Sequence, residues 1–414
     1  MKILWFEVTQ PLRYKNTGRV VAGWQDALED LVRSEKDIEL YIAFECSDPN
    51  ATSCVIDGVT YIPMPTCYSF IESKLNIWTW RINEKKIIEL GKKTINEVKP
   101  DLIHVFGNEW PFGLLAQHTS IPLVIHIQGS IVPYHNALYP PRYNGFTFAL
   151  ASGLKLRRLW HRIQINYKFM SRLEMEKRIW KCVKHYMGRT SWDRALVNTL
   201  TKNSTYHHVE EALRSEFLTN TRLWQCPEGN KLRLLTIGCG TFWKGVDVLL
   251  KTAHVLKEAG VDFEWNVAGG MPIELRNIVE KKERLSYSEN NINFLGLCPP
   301  EKLIDIMCHS TIYVHTAYIE NSPNSVAEAQ ILGIPVVATN VGGTSSMVTH
   351  GTDGFLFPAT DPYMAAYYIK SLIEDKNNVN MEIGTQAHKK ATLRHDKQEI
   401  ITQLLNTYKE ILTE

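Results

Sequence analysis

Short apolar runs alternate with helical patterns along this chain, and the alternation happens twice. The first half contains KILWFEV, ELYIAF, PDLIHVF, PLVIHI and KHYMG, with a helical stretch from Gly23 to Val32 after the first run. The second half contains LRLLTI, FEWNVAG, INFLG, TIYVHT, IPVVAT and GFLF. Strands covered by helices on both faces read as continuous apolar runs, so each half predicts βαβ units and a parallel sheet. The length agrees: 414 residues exceed one ordinary core and suit two domains of roughly 200 residues each. The expected fold class is therefore α/β, with two Rossmann-like parallel-sheet domains facing each other across a crevice.

Between the halves, residues 218 to 230 (LTNTRLWQCPEGN) lose periodicity and carry a Pro-Glu-Gly-Asn turn, which marks a linker. The predicted domains are 1–217 and 218–395. The final segment, EIITQLLNTYKEIL, puts Ile400, Leu404, Tyr408, Ile411 and Leu412 on one helical stripe. That helix, about 396–414, needs a surface and is expected to pack back on the first domain. Ligands of open α/β sheets bind at the carboxyl ends of the strands, so the site is expected there.

Charge and cysteine usage narrow the function. A formal net charge of +2 excludes a globally basic nucleic-acid binder. The apolar run before Glu7 is too short for a signal peptide, and none approaches the length of a membrane span, so a cytoplasmic location is expected. The eight cysteines show no CxxC pair or zinc spacing, which predicts free thiols, no disulfide and no metal site. Residues 155–184 are a local exception, with ten Lys or Arg against Glu174 and Glu176, and Trp160, Tyr167, Phe169 and Trp180 interleaved. Such a helix suits anionic headgroups or a lipid diphosphate acceptor, and an ordinary surface helix reads it equally well.

The stretch ENSPNSVAEAQILGIPVVATNVGG, starting at Glu320, reads as loop, short helix and strand. Pro323 suits a first helical turn, and Gly333 with Pro335 ends the helix. The helix N-terminus then offers amides near Asn324, Ser325 and Val326 to an anion. Glu320 lies on the loop ahead of it, Glu328 a turn inside, and Gly343 permits close backbone approach. The Glu-x7-Glu spacing alone would recur by chance, and it gains meaning from the strands on either side.

These residues resemble the retaining nucleotide-sugar glycosyltransferases of family 4, which adopt the two-domain GT-B fold. The resemblance also covers NTGRVVAGW, PDLIHVFG and LTIGCGTFWKGVDVLLKTA. It implies that Glu320 contacts the transferred sugar, Glu328 the nucleotide ribose and Lys244 the donor diphosphate. It implies donor contacts at Gly18 and Gly240 as well. The family usually adds an arginine where this chain has Cys239, and Arg13 or Arg19 from the facing loop is a candidate substitute. Gln128 stands where the family commonly carries a sugar-contacting histidine. Neither a dinucleotide fingerprint nor a P-loop is completed around Gly238–Gly245.

In the first half, Thr17-Gly18-Arg19 lies between the first strand and its helix, as a ligand loop or a plain turn. Arg189 and Asp193 follow the run KHYMG, and they suit either sugar or acceptor contact or an Arg–Asp pair fixing a helix start. His104 and His126 fall within apolar runs and read as core histidines, and His207-His208 lack further zinc ligands. The resulting expectation is transfer of a sugar from a nucleoside-diphosphate sugar to a hydroxyl acceptor, with retention. The acceptor expected is a lipid-linked glycan in bacterial surface polysaccharide synthesis. The chain lacks Asp-x-Asp, so the reaction is expected to need no metal, and no cofactor beyond the donor substrate is expected. A GT-B phosphorylase, a sugar-nucleotide epimerase and a degenerate nucleotide-sugar-binding module are the competing readings.

Overall fold

The computed structural model describes residues 1–14, 23–151, 156–229, 231–374 and 379–414. The chain forms two compact units. The first comprises Met1–His135, Trp160–Ala212 and His395–Glu414, and the second Asn136–Leu159 and Leu213–Arg394. Gly18 and Arg19 lie outside the described residues.

The first unit is built on β1 (Lys2–Glu7), β2 (Glu39–Cys46), β3 (Cys54–Ile56), β4 (Val59–Pro65), β5 (Leu102–Phe106), β6 (Leu123–His126), β7 (His185–Gly188) and β8 (Thr205–His208). They lie in the order β3-β4-β2-β1-β5-β6-β7-β8, parallel except for the β3–β4 hairpin. Central strand β1 shows why its sequence is apolar throughout. Ile3 and Trp5 point into one core with Ile400, Leu404, Tyr408 and Ile411 of the helix Lys397–Thr413. Leu4 and Phe6 point into the other, with Ile87 and Ile95 of the helix Arg81–Val98. The Tyr408 hydroxyl accepts the Trp5 indole N–H at 3.1 Å and meets His104 Nδ1 at 2.6 Å, tying the last helix to β1 and β5. Leu412 falls off the predicted stripe and is 36% exposed. Strands β3, β4 and β8 escaped the sequence reading because β4 carries Pro63 and Pro65 and β8 is TYHH, neither being a continuous apolar run.

All six apolar runs of the second half are strands: β9 (Leu232–Ile237), β10 (Phe263–Ala268), β11 (Ile292–Gly296), β12 (Ile312–His315), β13 (Val336–Thr339) and β14 (Phe355–Phe357). They pair in parallel in the order β11-β10-β9-β12-β13-β14. The chain winds outward from β9 to β11, then returns to the other side of β9 with β12. The crevice where the winding reverses, at the carboxyl ends of β9 and β12, is where doubly wound sheets bind ligands.

Two segments differ from the reading of one boundary after residue 217. Residues 136–159 belong with the second unit: Tyr143 and Phe148 enter its core against Phe242, with ring centroids 5.5 and 4.6 Å away. The stretch taken as a linker also packs there. Trp224 is buried, its amide donating to the Leu332 carbonyl and its indole N–H to the Ser310 carbonyl.

Candidate active site

Lys244 reaches the switch point because three contacts stitch the loop after β9 to the loop after β12. The Trp243 carbonyl accepts the Tyr318 amide at 2.7 Å, and the Lys244 carbonyl accepts the Thr316 hydroxyl at 3.0 Å. Gly245, at φ +68°, closes the third: a Cβ there would stand 1.7 Å from the Thr316 carbonyl oxygen, so only glycine fits. The turn Phe242–Lys244 then passes into the helix Val246–Glu258.

The stitched loops bring Lys244 Nζ onto Glu320 Oε1 as a direct ion pair. His315 Nε2 lies 3.6 Å from the same oxygen, an electrostatic contact too long for a hydrogen bond. Glu320 is 7% exposed. Burial alone would raise its pKa, but the Lys244 charge and His315 outweigh it and hold the carboxyl down at about 2. Glu320 is thus an ionised acceptor at neutral pH, unable to act as a proton donor. Its backbone is held too: the Gly343 amide donates to the Glu320 carbonyl at 3.0 Å, and Gly342 packs against that carbonyl at φ +50°. Gly240 lies beside Gly270 beyond β10, giving the strand ends a backbone lining with little side-chain cover.

The helix Asn324–Leu332 follows, with Pro323 as the residue just before it rather than in its first turn. The amides of Asn324 and Ser325 have no backbone partner among the described residues, as an anion-binding terminus requires. Val326 differs from expectation, because its amide already donates to the Pro323 carbonyl at 2.9 Å. Glu328 is buried, and Oε1 accepts Arg214 Nε at 2.8 Å and a terminal guanidinium nitrogen at 2.5 Å. Arg214 had no distinguishing feature in the sequence, since it stands 114 residues from its partner in no motif. Cys239, in place of the family's usual arginine, is 1% exposed. Burial pushes its thiol up to about 12 against a weaker pull from Lys244, so it supplies no charge.

The candidates of the first unit divide. Gln128 follows β6, beside Gly107 at the end of β5. Arg189 follows β7, buried at 4%, with one guanidinium nitrogen donating to the Ile127 carbonyl at 2.8 Å and Nε 2.9 Å from Glu211. It also stacks 4.9 Å from the Trp24 ring. Asp193 is fully buried and caps the helix Ser191–Leu200, accepting the amides of Arg189 and Thr190 and the Thr190 hydroxyl. Asp193 thus fixes the start of that helix, as one of its two readings expected, through Thr190 and the Arg189 backbone amide. His104 and His126 are fully buried inside β5 and β6, and burial drives both toward the neutral form. Sequence reasoning passed over Glu109 and Glu176, one turn beyond β5 and on the helix Leu156–Cys182. Burial raises the Glu176 carboxyl to about 7 while it accepts Asn108 Nδ2 at 2.6 Å and the Ile131 amide at 2.9 Å. All eight cysteines are free thiols.

Residues 225–390 match the family described as glycosyl transferases group 1. The match takes in the whole second sheet but less than half of the chain. The matched segment contains Lys244, Glu320, Glu328 and the glycine-lined strand ends. The chain is similar to a D-inositol 3-phosphate glycosyltransferase of Corynebacterium diphtheriae, 29% identical over 32% of each chain. It is also similar to the capsular polysaccharide biosynthesis glycosyltransferase CapM of Staphylococcus aureus, 26% identical over 41% of this chain and 44% of that one. The chain thus spans about a third to a half of the length of the curated relatives it matches. Solved structures match far more of it. A sucrose-phosphate synthase from Thermosynechococcus elongatus aligns over 100% of this chain and 99% of its own, at a TM-score of 0.73 and 15% identity. Anabaena Alr3699/HepE in complex with UDP-glucose aligns over 99% and 100%, at 0.65 and 17%. Beyond the matched segment, then, the whole chain has the GT-B fold.

Proposed function

We propose that this protein transfers a sugar from a nucleoside-diphosphate sugar to a hydroxyl acceptor, with retention and without a metal. The observation that carries the reading is the Lys244–Glu320 pair at the switch point of a group 1 domain. A departing diphosphate gains negative charge as its bond to the sugar breaks, and a fixed cation with helix-terminal amides stabilises that charge. Lys244 and the amides of Asn324 and Ser325 take that role. Glu320, ionised and pinned by its own carbonyl, accepts hydrogen bonds from the sugar hydroxyls. The acceptor oxygen attacks from the face the diphosphate leaves, and its proton passes to the leaving phosphate oxygen. Glu328 is the ribose anchor, with Arg214 fixing its carboxylate.

A nucleotide-sugar donor is supported by the UDP and UDP-glucose complexes of the Anabaena protein. The absence of Asp-x-Asp from the sequence supports metal independence, and the donor is a substrate, so no resident cofactor enters the proposal. Relatives named for capsular polysaccharide and amylovoran biosynthesis support a glycan acceptor, which we place on a lipid carrier at the cytoplasmic membrane face. No described helix is long and apolar enough to cross a membrane. A panel of nucleotide sugars, each incubated with and without candidate acceptors and analysed by NMR, tests the reading. Acceptor-dependent release of nucleoside diphosphate with a retained anomer supports it. A requirement for free phosphate, conversion of the donor alone, or binding without release would replace it with a phosphorylase, an epimerase or a binding module.

A further inference from the structure

The helix Phe70–Thr79 of the first unit is amphipathic the wrong way round. None of its residues is buried, and Phe70, Ile71 and Leu75 are 77%, 70% and 52% exposed. Two of its polar residues, Glu72 and Asn76, face the protein instead. Glu72 accepts the Ser69 amide at 2.8 Å and pairs with Lys86 at 3.1 Å, and Asn76 Oδ1 accepts the Asn83 amide at 3.1 Å. A helix held by its polar side and showing its apolar side outward is built for a non-aqueous contact.

The exposed face continues onto the long helix Leu156–Cys182. Trp78 packs edge-on against Trp160 at 5.1 Å and lies 6.0 Å from Tyr167. Trp160, Ile163, Tyr167 and Met170, spaced at helical intervals, are each 40% exposed or more. A cavity of about 580 Å³ there is lined by Trp78, Tyr167 and Met170 together with Arg81 and Arg178.

Charge selects the occupant. Glu72, Glu84 and Glu174 are each paired with a cation, Lys86, Arg178 and Lys177 respectively. Lys74 and Arg81 have no carboxylate partner among the described residues, and residues 155–184 carry ten Lys or Arg against two Glu. A two-fold contact between copies through this face would set those cations against themselves. An apolar stripe with Trp and Tyr, fringed by unpaired cations, matches the headgroup boundary of an anionic bilayer.

We propose that the outward face of Phe70–Thr79, with Trp160, Ile163, Tyr167 and Met170, is a docking surface for an anionic lipid bilayer. It deepens the lipid-linked acceptor of the proposed function and rests on that reading for its purpose. Vesicle binding needs neither donor nor acceptor, so the two readings fail separately. The full chain is sedimented with vesicles of phosphatidylcholine containing phosphatidylglycerol, and with phosphatidylcholine alone. Expected are partitioning onto the anionic vesicles, quenching of tryptophan emission by brominated acyl chains, and a loss of about tenfold or more in Ile71→Ser/Leu75→Ser. Those positions are exposed, so the variant keeps its circular dichroism, melting curve and nucleotide binding. Lys74→Glu/Arg81→Glu is expected to lose the preference for anionic lipid. Absence of partitioning by the wild type, or equal partitioning by the serine variant, overturns the proposal. A concentration-dependent dimer abolished by the serine variant, without vesicle binding, assigns the face to a second copy.

Discussion

Lys244 and Glu320 neutralise each other across the two loops that leave β9 and β12 on opposite windings of the sheet. The pair joins the ends of a 76-residue separation through backbone contacts that only Gly245 and Gly342 permit. Under the proposed function, a donor diphosphate would meet at Lys244 a cation already positioned and a carboxylate held ionised near neutrality. This is a preorganised arrangement: its electrostatics are set before the substrate enters.

The ionisation of Glu320 has a signed consequence for stability. Its carboxyl sits at about 2 in the fold, below the roughly 4.3 of an unfolded glutamate. The stabilisation is present in full above the unfolded value and is lost as pH falls from about 4.5 toward about 2, amounting to about 3 kcal/mol. Urea unfolding at a series of pH values is expected to show wild type losing its advantage over Glu320→Gln across that window. Parallel curves would contradict it.

Breaking the Arg214–Glu328 pair from one side leaves a buried charge. Glu328→Ala is expected to cost about 3–5 kcal/mol, while Arg214→Met combined with Glu328→Leu restores most of it. Thermal unfolding checks both. Glu328→Gln, which keeps the shape, is expected to weaken nucleotide binding if Glu328 holds the ribose.

Gly342→Ala would place a Cβ 1.9 Å from the Glu320 carbonyl oxygen, at φ +50°. The loop must move, and Glu320 with it. Turnover is expected to collapse and Tm to fall by more than in Gly351→Ala. That control, at φ +76° with open space around it, pays only the left-handed penalty of about 1–2 kcal/mol. Equal losses in the two variants would show that Gly342 does not position Glu320.

Tyr408→Phe strips the acceptor from the buried Trp5 indole N–H and the partner from His104. The expected cost is about 1–3 kcal/mol of stability. Nucleotide binding is expected to remain at the wild-type level, since Tyr408 belongs to the first unit. A calorimetric Kd for nucleoside diphosphate alongside the melting curve reads both effects.

All six strands of the second sheet were legible because each is a short, mostly apolar run between helical patterns, and Glu320 drew attention because a strand, a turn and a helix frame it. The sequence did not disclose Glu328's partner, because Arg214 reaches it only through the tertiary fold. It suggested Lys244 for a diphosphate but not its pairing with Glu320, which only the fold shows. Residues 136–159 were assigned to the wrong side of a single boundary because Tyr143 and Phe148 look like any helical apolar residues until Phe242 is seen beneath them. The inverted helix Phe70–Thr79 was equally silent: FIESKLNIWT is amphipathic by pattern, and only its contacts reveal which side is out.

The central claim is that Lys244 and Glu320 form the donor site. Isothermal titration of nucleoside diphosphates into wild type, Lys244→Ala and Glu320→Ala, paired with turnover of the donor found, tests it most directly. The account predicts that at least one diphosphate binds, that Lys244→Ala weakens it about tenfold or more, and that Glu320→Ala loses about 100-fold in turnover with little change in affinity. Wild-type affinity in Lys244→Ala together with wild-type turnover in Glu320→Ala would contradict it.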